Sequence, residues 1–301
     1  HLSLRRQRQM CIRDSHRRTR HVQHLAARKG QDRNVQRVRH LADISLRLSF
    51  TPKLTAPTIR HQHDAYNRFM TNPLQIGFLV FPDVTQLDLT GPAQVLSRVP
   101  GARVHLAWKT LEPLKTDVGF SLNPTTSFAD CPPLDVLCVP GGMGVVGQIN
   151  DAETRAFLRQ QGASARYVTS VCNGSLLLGA AGLLQGYRST CHWMWRHYLT
   201  QFGAEPVAAR VVRDRNRLSG AGVTSGIDFA FTLATELAGE EAARMIQLGL
   251  EYDPQPPLDS GSPEKAGADR VARARAVPAA WLRDVAEPQI AQAARRLATI
   301  P

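Results

Sequence analysis

No apolar run in the 301 residues approaches the ~18 to 20 needed for a helix to cross a bilayer, which excludes a helical membrane span. Internal repeats are absent, which removes solenoids and propellers. Cysteine is sparse, and Cys11, Cys131, Cys138, Cys172 and Cys191 form an odd set without a CxxC pair. That pattern argues against a disulfide framework or a dithiol redox motif and fits reduced thiols in a cytoplasmic setting. No His, Cys and Asp fall at metal-ligand spacing, so no metal is expected.

The surplus of charge lies at one end. Residues 1–69 hold 16 Lys and Arg against 4 Asp and Glu, which accounts for the whole formal charge of +12. The other 232 residues balance at 21 of each sign, so the bulk of the chain has no electrostatic bias toward nucleic acid or a membrane surface. Residues 1–69 mix Arg, His and Gln without a helical or strand period, a composition that cannot offset the entropy of ordering. Arg5 to Ser15 resembles a translated sequencing-adapter scar, and Met70 reads as the natural start. The expected organisation is a disordered or artefactual leader at 1–69, a folded domain at 70–277 and a C-terminal helical tail at 278–301.

From Leu74 the pattern changes. Leu74 to Phe81 is nearly continuous in apolar residues and stops at Pro82, as a strand buried on both faces does. A helix is predicted over 91–99, with Thr90 as cap and Pro92 in its first turn. Strands are predicted at 104–108, 118–122, 135–139 and 165–171, and a hairpin around Asp214-Arg215-Asn216. Helices are predicted at 151–162 behind Asn150 or Asp151, after Cys172, and at 224–237 and 240–250; a strand end and a helix are predicted within 190–202. Strands alternating with helices imply an α/β three-layer sandwich with a mainly parallel sheet, flavodoxin-like in type. Beyond Tyr252 a polar, proline-rich arm leads to Ala- and Arg-rich residues, expected as one or two exposed helices broken at Pro278 and Pro288.

In open α/β sheets chemistry gathers beyond the carboxyl ends of the strands. Thr85 to Thr90, Pro140 to Gly144 and Cys172 to Ser175 all fall there. Cys172 stands where a β-branched run becomes a helical one, the arrangement of a nucleophile elbow. A helix N-terminus favours negative charge and is expected to pull the thiol below its usual value near ~8.5. The plainer alternative is a small buried hydrophobe. Asp88 read alone is a helix-capping or solvent-facing carboxylate, and Gly141-Gly142 a tight turn. His192, alone before Trp193, reads as a structural residue or a weak site candidate.

The segments Phe81-Pro82-Asp83, Leu87-Asp88-Leu89-Thr90-Gly91-Pro92, Val139-Pro140-Gly141-Gly142, Val168 to Ser175 and Thr190-Cys191-His192-Trp193 together resemble the DJ-1/PfpI superfamily, and within it bacterial isonitrile hydratases. The resemblance spans about Leu74 to Val277. It implies the fold of the class I glutamine amidotransferases, a Cys172 nucleophile in a strained backbone conformation, and Asp88 opposite it with a raised pKa. It also implies hydration of an isonitrile to an N-substituted formamide through a thioimidate. Backbone N–H groups of Gly142 and Asn173 would polarise the developing charge, with His192 at the rim. No cofactor is implied, and a homodimer is. Asn173 departs from the threonine that such hydratases carry after the nucleophile. The alternative is a ligand or redox sensor related to the N-terminal half of AraC-type transcription regulators, for which the stretch after Tyr252 is expected to be too short and too proline-broken.

Overall fold

The computed structural model describes residues 73–299, all of them within one compact unit. The reading of residues 1–69 as a leader lies outside the described residues. The strands are β1 (Leu74–Leu79), β2 (Ala102–Trp108), β3 (Leu114–Lys115), β4 (Ser121–Leu122), β5 (Thr126–Ser127), β6 (Val136–Val139), β7 (Tyr167–Val171), β8 (Arg188–Ser189), β9 (Glu205–Pro206), β10 (Val211–Asp214) and β11 (Arg217–Gly220). Seven form the central sheet in the order β10-β11-β7-β6-β1-β2-β5. Every pairing in it is parallel except the β10–β11 hairpin. β6 and β7 are buried along their whole length, which is why they are apolar without alternation.

The longer α-helices that contribute buried residues to the layers are α1 (Gln86–Leu96), α2 (Ala152–Ser164), α3 (Gly174–Ala180), α4 (Ser225–Ala238), α5 (Glu240–Gly249) and α6 (Glu287–Ala298). They fall into two sets that each pack among themselves. α4 lies against α1 and α5, whereas α3 meets α2, α6 and the 3₁₀ turn Arg196–Phe202. With the sheet between them this is the three-layer α/β sandwich read from the sequence. No described helix is long and apolar enough to cross a membrane.

Three differences from the sequence reading have local causes. α1 begins at Gln86, so Thr90 lies inside it and Thr85 is the cap residue without a side-chain bond; Pro92 sits mid-helix and forgoes one internal hydrogen bond. This earlier start carries Asp88 into the first turn. The edge strand β5 is only two residues long and carries no readable period. The third difference corrects the exposed tail. Pro288 does not break the helix: it is the second residue of α6 and directly follows the π-helical turn Leu282–Ala286, through which the chain stays helical, and Ala286, Ile290 and Ala293 are buried against the core. The Tyr198 hydroxyl donates to Glu287 at 2.7 Å, and Asn150 Nδ2 donates to the Gln289 carbonyl at 2.9 Å. Because Ile290 is fully buried, Ile290→Ala is expected to cost about 2 to 4 kcal/mol in urea denaturation, where an exposed tail would give almost nothing.

Candidate active site

β7 delivers Cys172 to the carboxyl edge of the sheet. The Cys172 N–H still donates to the Gly220 carbonyl at 3.1 Å, extending the ladder with β11 by one residue. The chain then turns. Cys172 has φ +58, a left-handed conformation that costs a side-chain-bearing residue about 1 to 3 kcal/mol. Gly174 opens α3 directly beneath the ends of the neighbouring strand, where a Cβ would run into the Val139 and Pro140 carbonyl oxygens.

Asp88 comes from the first turn of α1 and is 1% exposed. Its Oδ2 accepts the Gly141 N–H at 2.9 Å, while Oδ1 is buried without a hydrogen-bond partner among the described residues. Burial raises its pKa from the ordinary 3.8 to about 7; the Gly141 N–H and the Cys172 thiol pull it partly back, and the charge of Asp117 adds to the rise. The convergence is clearest at Gly141. A Cβ built there would collide with Asn173 Oδ1 and lie 2.7 Å from Cys172 Cβ and 2.8 Å from Asp88 Oδ2. Three side chains from two segments, α1 and the turn between β7 and α3, therefore close over one glycine.

Cys172 itself is 7% exposed, and its thiol is pushed well above its usual value. Burial is the main cause, followed by the charges of Asp88 and Cys191; the Asn173 N–H opposes them. This corrects the expectation of a depressed thiol pKa. α3 has only seven residues, and its N-terminal dipole is outweighed by desolvation. The resting pair is a protonated thiol beside a carboxyl group that titrates near neutrality.

Gly142 also differs from expectation. Its N–H donates to Asn173 Oδ1 at 2.8 Å, and its carbonyl accepts from Asn173 Nδ2 at 3.0 Å. The Gly142 N–H is thus engaged and does not face an open position as an oxyanion donor would, whereas the Asn173 N–H does face the sulfur. His192 is not brought into contact with the pair by any hydrogen bond among the described residues. Its Nδ1 accepts the Met194 N–H at 3.3 Å, and burial lowers its pKa. Two neighbours were missed in the sequence as site residues. Asp117 pushes on Asp88 from the turn between β3 and β4, and Cys191, fully buried, has its thiol pushed up to about 12 by burial. Among the described residues no cluster of three or more His, Cys, Asp or Glu is placed to hold a metal ion.

The raised carboxyl has a consequence for stability. Unfolded Asp88 ionises near 3.8 and folded Asp88 near 7, so folding is favoured while the carboxyl stays protonated, and that advantage is lost as pH climbs from about 4 to about 7. Asp88→Asn cannot ionise. Its stability relative to wild type is expected to rise by on the order of 3 kcal/mol between pH 4 and pH 8 in urea denaturation. A difference that stays constant across that range would show the carboxyl to be solvated.

Comparison with known proteins agrees with this architecture. The DJ-1/PfpI family pattern matches residues 75–236. The isonitrile hydratase of Pseudomonas putida is 58% identical over 212 residues, covering 70% of this chain and 93% of that protein. The HTH-type transcriptional regulator GbdR of Pseudomonas aeruginosa is 30% identical over 193 residues, covering 60% of this chain and 52% of the regulator. Among solved structures, a ThiJ/PfpI family protein from Pseudomonas syringae superposes with a TM-score of 0.68 at 44% identity, covering 74% of this chain and 91% of that one. The fold, the cysteine at the elbow and the matched span, more than half of the sequence, agree: the chain belongs to the DJ-1/PfpI family.

Proposed function

We propose that this protein is an isonitrile hydratase, a lyase that adds water to R–N≡C to give R–NH–CHO, with Cys172 as nucleophile and Asp88 as acid and base. The observation that carries the reading is the buried Asp88 carboxyl, one oxygen held by Gly141 and the other unpartnered, closing with Cys172 over the same glycine. The 58% identity to the hydratase from Pseudomonas putida supplies the substrate class.

The chemistry follows from that pair. As Sγ attacks the terminal carbon, the thiol proton passes to the Asp88 carboxylate, which returns it to the same carbon to leave a thioimidate, R–N=CH–S–Cys172. A thiol that stays protonated at rest needs such a base beside it, and a carboxyl with a pKa of about 7 can both accept and give a proton near neutral pH. Water then adds to the imidate carbon. Asp88 takes one proton from the water and passes it to the nitrogen; the hydroxyl of the adduct then gives its proton through Asp88 to the sulfur as the C–S bond breaks, releasing the formamide and restoring the thiol. The Asn173 N–H is the backbone donor nearest the sulfur.

The finer parts of the reading go with it. The elbow role rests on the +58 φ at Cys172, and the reduced cytoplasmic setting on the free thiols of Cys131, Cys138, Cys172 and Cys191. A homodimer is carried over from the family resemblance. Incubating the purified chain with a small alkyl or aryl isonitrile and following formamide by mass spectrometry tests the proposal. Formamide at the rate of buffer alone would overturn it, and the regulator-like ligand sensor, favoured by the 193-residue match to GbdR, would take its place.

A further inference from the structure

The Asn173 side chain spends both of its polar atoms on one backbone residue. Oδ1 accepts the Gly142 N–H at 2.8 Å and Nδ2 donates to the Gly142 carbonyl at 3.0 Å. A primary amide that pairs with both groups of a single residue fixes that residue in position and in rotation. Gly142 is a residue that gains from such fixing. It has φ +137, and a Cβ there would collide with the Asp83 carbonyl and lie 2.6 Å from the Thr85 nitrogen. One residue back, the Gly141 carbonyl accepts the Thr85 N–H at 2.9 Å, and its N–H donates to Asp88 Oδ2 at 2.9 Å. The loop before α1, the Gly141-Gly142 turn and the elbow are therefore tied to one another through few bonds, and Asn173 supplies the two that reach from the elbow.

We propose that Asn173 is a positioning residue: by clamping Gly142 it holds the Gly141 N–H on the Asp88 carboxyl and keeps that carboxyl in register with Cys172. The inference takes its catalytic meaning from the hydration reading, but the clamp and its test stand on the resting protein. A threonine hydroxyl offers one atom on a shorter stem where the asparagine offers two, so it cannot hold both Gly142 groups in the same way.

The consequence is legible in the carboxyl. An N–H donating to a carboxylate favours its ionised form, so a turn that drifts from Asp88 leaves the charge less well supported. The other groups facing Asp88 are the Cys172 thiol and the Asp117 carboxylate, with Cys191 further off, and none of them belongs to the clamp. General loosening of the site would act in the opposite direction, because admitted water returns a buried carboxyl toward its ordinary range. The sign of the change thus separates positioning from mere structural support.

The experiment is a pH titration of the aspartate side-chain carboxyl ¹³C resonances in the full chain, with Asp88 identified as the signal lost in Asp88→Asn. The wild-type midpoint is expected near 7, and Asn173→Ala is expected to move it upward by about one pH unit. Asn173→Thr should move it in the same direction by less, and it serves alone if the alanine variant does not fold. A midpoint that stays within about 0.2 units of wild type, or moves down, overturns the proposal however far the melting temperature falls. Formamide production is measured on the same samples. An upward shift in a protein that hydrates no isonitrile leaves the clamp standing and removes the hydration reading, whereas active wild type with an unmoved midpoint does the reverse.

Discussion

Cys172→Ala is expected to lower formamide production from an isonitrile by at least about 10⁴-fold, to the rate of the uncatalysed reaction, because no other group can form the covalent intermediate. Cys191 cannot stand in for it. It is fully buried and lacks the +58 φ that turns Cys172 out at the corner. The same position separates function from folding. At φ +58 any side chain is strained, so removing the Cβ relieves a cost of about 1 to 3 kcal/mol. Cys172→Gly should therefore be as inactive as Cys172→Ala yet melt higher, with the difference read by calorimetry. Equal melting temperatures would show that the elbow stores no strain, and an alanine variant that still turned over isonitrile would place the nucleophile elsewhere.

How far the site could be read in the sequence depended on whether its cause was local. The β7 run and the small residues after Cys172 announce a strand-to-helix corner because periodicity is a local property. β6 is equally visible, since full burial writes itself as an unbroken apolar run, and β1, half-buried at Leu74 and Gln75, nearly so. The state of the thiol was not visible. A helix N-terminus is seen in the sequence, but the desolvation that overrides it comes from neighbours distant along the chain, and so does the push from Asp117 on Asp88. The state of the Gly142 N–H is hidden from the sequence for the same reason. It reads as a free loop donor, and only the folded chain brings the Asn173 amide across a separation of 31 residues to occupy it. The tail failed differently. Pro288 reads as a breaker in the sequence, whereas the π-helical turn Leu282–Ala286 before it accommodates its missing N–H, and the buried Ile290 and Ala293 show in the sequence only as a helical spacing.

Two glycines flank the elbow, and their alanine variants should fail in different ways. At Gly174 the added methyl meets the Val139 and Pro140 carbonyl oxygens, which belong to a strand end buried in the sheet and cannot yield. Gly174→Ala is accordingly expected to cost about 3 kcal/mol or more, seen as a large drop in melting temperature and in soluble yield. At Gly141 the methyl meets side-chain atoms instead: Asn173 Oδ1, Cys172 Cβ and Asp88 Oδ2. Asn173 Oδ1 and Asp88 Oδ2 are side-chain ends that can swing aside, while Cys172 Cβ moves only with the backbone, so Gly141→Ala should lose about 1 to 3 kcal/mol of stability. The movement, however, falls on the reacting groups. Displacing Asp88 from Cys172 by about 1 Å is expected to lower kcat/KM for isonitrile hydration by 10² to 10³-fold, with kcat carrying most of the loss. A Gly141→Ala enzyme with near-normal kcat would mean that Asp88 and Cys172 do not act across this glycine, and the proton path drawn between them would have to be abandoned.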